Sequence, residues 1–251
     1  GFIRAGKGGE IVFIAPRIEN RGVITAEDGQ LILAAGEKVT LTSLDLDGVE
    51  LEVAAPEHQV LNLGELIADK GAVGVFAGSL KQAGKVQANT VGVDAQGRIV
   101  LSAVSNATLT ATSRTEASGD SGGSIKVDAG GTTAVAGTVS ASGEVAAGGA
   151  VTITGTKVRV EPAADIDASG PTGGGTIALG GGYRGQDEEI RNARETTVAA
   201  GASVRADATG SGDGGQVVVW ADERASVNAD LSARGGTRNG DGGLVETSAH
   251  R

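Results

Sequence analysis

The residues that could do chemistry are few. Gly119-Asp120-Ser121-Gly122-Gly123 matches the run around the nucleophile of trypsin-like proteases. A nucleophilic serine needs a general base within hydrogen-bond reach and an acid to orient that base. The sequence supplies two histidines, His58 and His250, at places distant from Ser121. The run is therefore read as a Gly-rich loop, and no catalytic residue is assigned. Asp213 and Asp241, each in Gly-Asp-Gly-Gly, have the composition of a calcium loop. They stand a whole repeat apart, whereas calcium-binding roll repeats recur about every nine residues. They are weak calcium candidates, and otherwise no metal or cofactor site is expected. Gly180-Gly181-Gly182 lacks the following amphipathic helix that a dinucleotide fingerprint requires. Trp220 and Tyr183 are the large amphipathic rings. On its strand Trp220 should point outward, to cover a loop or stack on a sugar, with covering preferred.

What must position these residues is a repeat. Gly9-Glu10-Ile11-Val12-Phe13-Ile14-Ala15 sets a phrase of Gly, then two apolar residues spaced by two, then a small residue. The paired apolar positions are Ile11 and Phe13, Leu31 and Leu33, Leu51 and Val53, Val73 and Val75, Ile99 and Leu101, Ile125 and Val127, Val151 and Ile153, Ile177 and Leu179, Val217 and Val219, and Val245 with Thr247. Residues two apart on a strand face one side, so these pairs form inward columns. A second phrase returns between them, as in Gly64-Glu65-Leu66-Ile67-Ala68 and Ala164-Asp165-Ile166-Asp167-Ala168. Weaker alternation, such as Val39-Thr40-Leu41-Thr42, supplies a third side. The expectation is an all-β chain: a parallel β-helix of about ten coils with three short strands per coil, roughly 45 Å long. Gly at the corners is expected to supply positive φ. Asn20 and Asn62, each preceding a corner, are expected to stack as an amide ladder. Residues 180–196 are expected to project as a loop, and a charge placed at Val127 should cost several kcal/mol.

Composition bounds the rest. A net charge of -10 with interspersed signs opposes a nucleic-acid surface. The chain lacks cysteine, so no disulfide staples it, which also suits a protein threaded through a pore before folding. No apolar run approaches the roughly 18 residues of a membrane span, and without an initiator Met the sequence reads as a fragment of something longer, residues 1–251 forming one solenoid domain.

With these residues laid out, the chain resembles the filamentous haemagglutinin-type exoproteins of bacterial two-partner secretion. The most specific pieces are Ile14-Ala15-Pro16-Arg17-Ile18-Glu19-Asn20-Arg21-Gly22, Leu61-Asn62-Leu63-Gly64-Glu65-Leu66-Ile67-Ala68, Val217-Val218-Val219-Trp220-Ala221-Asp222 and Asp241-Gly242-Gly243-Leu244-Val245-Glu246-Thr247-Ser248. The resemblance implies a right-handed parallel β-helix, secreted to the medium or the bacterial surface through an outer-membrane transporter. It implies, too, a family of adhesins and toxins that engage a host or neighbouring-cell surface. The family's amino-terminal secretion module carries Asn-Pro-Asn motifs, which are absent here. The expectation is therefore a non-catalytic shaft segment following that module. The alternatives are a subunit stacking end to end into fibres, through unpaired strand edges at its ends, and more remotely a polysaccharide-active enzyme.

Overall fold

The computed structural model describes residues 1–36, 38–41, 46, 49–52, 58–92 and 97–250. It is a parallel β-helix with three faces. Strands of the first face run Glu10–Ile14, Gln30–Ala35, the front halves of Ala72–Gln82, Arg98–Leu109, Ser124–Val135 and Ala150–Val160, then Thr176–Leu179, Gln216–Ala221 and Leu244–Ala249. The back halves of the four long strands continue into the second face, with Arg17–Asn20, Gln59–Asn62, Glu195–Val198 and Arg224–Val227. The third face is a separate nine-stranded sheet from Phe2–Arg4 to Asp230–Ser232. Alternation of β-branched and polar residues makes the strands, and each strand pairs with its copy in the next layer.

Register is what aligns the columns. Val73 pairs with Ile99, Ile99 with Ile125, Ile125 with Val151, Val151 with Ile177 and Ile177 with Val217. All of these are buried, as are their partners two residues on, from Val75 to Val219. On the third face Leu66, Val86, Thr115, Val139, Ile166 and Val204 make an equivalent buried column.

Glycine serves the corners in two ways: Gly180 and Gly201 have the expected positive φ, at 77° and 88°, whereas the corner entering the first face needs glycine for another reason. Gly149, Gly175, Gly215 and Gly243 stack one above another with no left-handed φ. A Cβ on any of the last three would collide with the carbonyl oxygen of the glycine one layer before. This corner needs glycine because successive layers approach each other there.

The phrase at Leu51 is not a layer of the first face. Gln30–Ala35 pairs directly with the front of Ala72–Gln82, so nothing intervenes. Val49–Glu52, which carries Leu51, instead pairs antiparallel with Lys38–Leu41 as a hairpin outside the helix. Val53 lies outside the described residues. The hairpin replaces the corner between Gln30–Ala35 and Gln59–Asn62, and the first face has nine strands among the described residues. Alternation alone cannot tell a stacked strand from a hairpin strand, since both have period two.

Candidate functional site

The two ends of the first face depart from full burial. Ile11 is buried and Phe13 half-buried on the first strand, whereas Val245 is 43% exposed. Val245 keeps register with Val217, yet among the described residues no strand covers its other side. Leu31 and Leu33 are buried.

Ser121 lies in the loop between Arg114–Glu116 and Ser124–Val135, with its N–H on Thr90 Oγ1 at 3.3 Å. His58 precedes Gln59–Asn62 near one end of the stack, and His250 follows Leu244–Ala249 at the other. The three are on different layers, so neither histidine reaches Ser121. Asp213 Oδ1 accepts the backbone N–H of Asp241 at 2.7 Å, which makes this pair a loop-stacking contact. Among the described residues no group of three or more His, Cys, Asp or Glu could hold a metal.

The polar chemistry runs along the stack in ladders. Asn20 Nδ2 donates to Asn62 Oδ1 at 2.8 Å, and Asn62 Nδ2 donates to Gln82 Oε1 at 2.8 Å. Gln82 Nε2 ends the run on Gly84 O at 2.9 Å. The Gln82 rung is not apparent from the sequence, because its spacing to the corner resembles any surface glutamine. Beyond Gln82 the same column becomes Leu109, Val135, Val160 and Val198.

A second buried polar group is Asp207, which accepts from Arg234 Nε at 3.0 Å, Arg234 Nη2 at 2.7 Å and the Arg234 backbone N–H at 2.7 Å. Ser232 donates to it as well. Burial alone would push this carboxyl up, but the hydrogen bonds from Arg234 and Ser232 and the guanidinium charge hold it below the usual carboxylate range.

The most constructed surface feature is the excursion at 180–194; of the residues 180–196 expected as a loop, Glu195 and Thr196 instead open the strand Glu195–Val198, held in register with Lys157 and Val158. The excursion folds back over the outer side of the first face and covers Trp220, which is 7% exposed. The indole Nε1 donates to Asp222 Oδ1 at 3.1 Å. A Cβ at Gly181 or Gly185 would strike the indole, and Gly185 has φ of 64°. These glycines let the backbone lie on the ring. Arg191 ties the excursion to Asp128 at 2.8 Å and to the Ala129 carbonyl, and the Arg184 N–H reaches Glu246 Oε2 at 3.0 Å. Between excursion and sheet is a cavity of about 200 Å³, with Tyr183 and Asp187 on one wall. Among the described residues no helix is long and apolar enough to cross a membrane.

No family model matches the sequence, and no curated protein does. Among solved structures, the chain is similar to the HMW1 secretion domain from Haemophilus influenzae, with a TM-score of 0.71 and 30% identity. The match covers 100% of this chain and 61% of that one, so the chain spans less than two thirds of the solved domain. The likeness extends to sequence as well as fold and agrees with the resemblance to secreted β-helical exoproteins.

Proposed function

We propose that this chain is a non-catalytic structural length of a secreted two-partner-type adhesin, acting as a β-helical shaft. The observation that carries the reading is the unbroken register of the columns from Val73 to Val217, layer upon layer. Each strand edge is satisfied by the next layer, so stiffness comes from main-chain ladders and length from the number of coils. The buried amides of Asn20, Asn62 and Gln82 bond to one another along the stack, which ties layer to layer. An outer-membrane transporter is the export partner under this reading, and the contact with other cells lies in other regions of the exoprotein.

A second reading is favoured by one finding: the similar structure is itself a secretion domain, and it is matched by the whole of this chain. The segment would then form part of the module that engages the transporter. Deleting residues 124–149 joins Gly123 to Ala150 in the register that Ser124 already shares with Ala150. A shaft should lose one layer, about 4.8 Å of length by small-angle scattering, and still be exported by cells carrying the transporter. Normal folding of the purified variant with export abolished would overturn the shaft reading in favour of the secretion module. Release of unsaturated or reducing ends from polysaccharides by the intact protein would overturn both.

A further inference from the structure

We propose that the cavity under the 180–194 excursion binds a single neutral pyranose ring, as a free glycoside or as one unit of a glycan. The site goes beyond the structural role and does not depend on it. Its volume, about 200 Å³, is below the roughly 300 Å³ at which drug-sized ligands begin to fit, and suits one sugar ring.

The floor is two rows of outward-facing side chains. Thr152, Ala178 and Val218 lie side by side in register across three layers, and Thr176 lies beside Gln216. Ile190, Tyr183 and Asp187 close the site from the excursion. Val218 is buried and Ala178 beside it half-buried, so the floor is apolar at its centre.

Around that centre stand polar atoms that make no hydrogen bond among the described residues. Asp187 Oδ1 caps the Glu189 N–H at 3.0 Å, while Oδ2 accepts no hydrogen bond among the described residues. The hydroxyls of Thr152, Thr176 and Tyr183 and the Gln216 amide likewise make none among the described residues. The carboxylate can accept two sugar hydroxyls, and the amide and hydroxyls both donate and accept, as a polyol does. Tyr183 is 40% exposed and supplies an aromatic wall for the ring's C–H face.

Charge narrows the ligand. Asp187 is followed by Glu188 and Glu189, which disfavours an anion. The Arg184 guanidinium lies 4.9 Å from the Tyr183 ring centroid, so a cation there would meet a like charge. A neutral, amphipathic, hydroxyl-rich ring satisfies both walls. The site is preformed, because the excursion is pinned by Gly180 N–H on Ile153 O at 2.8 Å, by Arg191 on Asp128 and by its seat on Trp220. Preformed sites lose less ordering entropy on binding.

The test is saturation-transfer NMR on the intact chain with the methyl glycosides of glucose, galactose, mannose and N-acetylglucosamine, and with choline as a cationic probe. At least one glycoside should receive saturation on its ring protons with an affinity on the order of millimolar, and Tyr183→Ala or Asp187→Ala should weaken it about tenfold or more. Gln216→Ala, whose side chain faces outward from a strand, should weaken it too, and covers the case in which an excursion variant detaches. Silence from all four glycosides, equal binding by Tyr183→Ala, Asp187→Ala and Gln216→Ala, or binding of choline alone would overturn the proposal. Export and shaft length can be normal under any of these outcomes.

Discussion

One substitution, made at three buried threonines, should have opposite effects on stability. Thr115 is fully buried between Val86 and Val139 on the third face, and its hydroxyl has no hydrogen-bond partner among the described residues. Thr133 and Thr196 are equally buried on the second face, but they donate to the Thr154 carbonyl at 2.6 Å and the Trp220 carbonyl at 2.7 Å. An unpaired buried hydroxyl costs about 1–3 kcal/mol. Thr115→Val keeps the β-branched shape and continues the valine column, so it should stabilise by about 1–2 kcal/mol, the desolvation penalty removed. Thr133→Val and Thr196→Val each remove a made bond and deprive a carbonyl of its donor, so each should destabilise by about 1–3 kcal/mol. In a chain of this size 1 kcal/mol corresponds to roughly 2–4 °C in Tm. Urea unfolding followed by far-ultraviolet circular dichroism would give midpoints, and an unchanged slope would show that the cooperative unit is the same. A Thr115→Val midpoint at or below that of the parent chain, or all three variants moving in one direction, would refute the argument that hydroxyl pairing decides these positions.

Asn62→Ala removes the middle rung of the amide ladder and leaves Gln82 Oε1 without its donor. It should cost about 2–4 kcal/mol, whereas changing Asn20, Asn62 and Gln82 together to leucine should recover most of that by extending the Leu109 column, as urea midpoints would show. Because the folded Asp207 carboxyl sits below its usual range, the stability it contributes is present above the unfolded carboxylate pKa and is lost as pH falls through the folded one. The acid limb of a stability-versus-pH curve should therefore be shallower in Asp207→Asn than in the parent chain. Gly185→Ala places a Cβ into the Trp220 indole at a residue with φ of 64°. Its tryptophan emission should shift to the red as the excursion lifts, with the main unfolding transition unchanged.

Much of the architecture is legible in the sequence because the stack repeats its own constraint. Ile99, Ile125 and Val151 are in register and buried, and the same period-two phrase marks them. Leu51 shows where that legibility ends. Its phrase matches the others, yet the strand pairs antiparallel with Lys38–Leu41 outside the helix, because alternation specifies a strand but not its partner. The Asn20 and Asn62 rungs could be anticipated from their place before a corner glycine. Gln82 could not, since only the register joins it to Asn62. The pyranose cavity is less legible still: Thr152, Gln216 and Asp187 are far apart in the chain and become neighbours only when the excursion folds back.

A signal for the excursions is nonetheless present in the strands beneath them. Strands that face solvent alternate, as in Ser124-Ile125-Lys126-Val127-Asp128, where the outward residues are polar. Leu31-Ile32-Leu33-Ala34-Ala35 and Val217-Val218-Val219-Trp220-Ala221 are apolar at both parities and buried throughout. A strand buried on both sides must have something over its outer face. Over Ile32, Ala34 and Phe76 lies Leu46, from the insertion that carries the hairpin. Over Trp220 lies the 180–194 turn. Both insertions leave from the same corner, between the first and second faces. Corners tolerate length because loop closure costs only about 0.6 kcal/mol per doubling, and the apolar outer face restores part of that by drawing the insertion back. Outward apolar residues and the insertion that covers them thus form one unit. Replacing Ile32 and Phe76 with serine should release the hairpin segment to proteolysis while the inward columns stay paired. Cleavage confined to the insertion would support that coupling. Loss of the whole fold would show that the outer face is instead part of the spindle's own core.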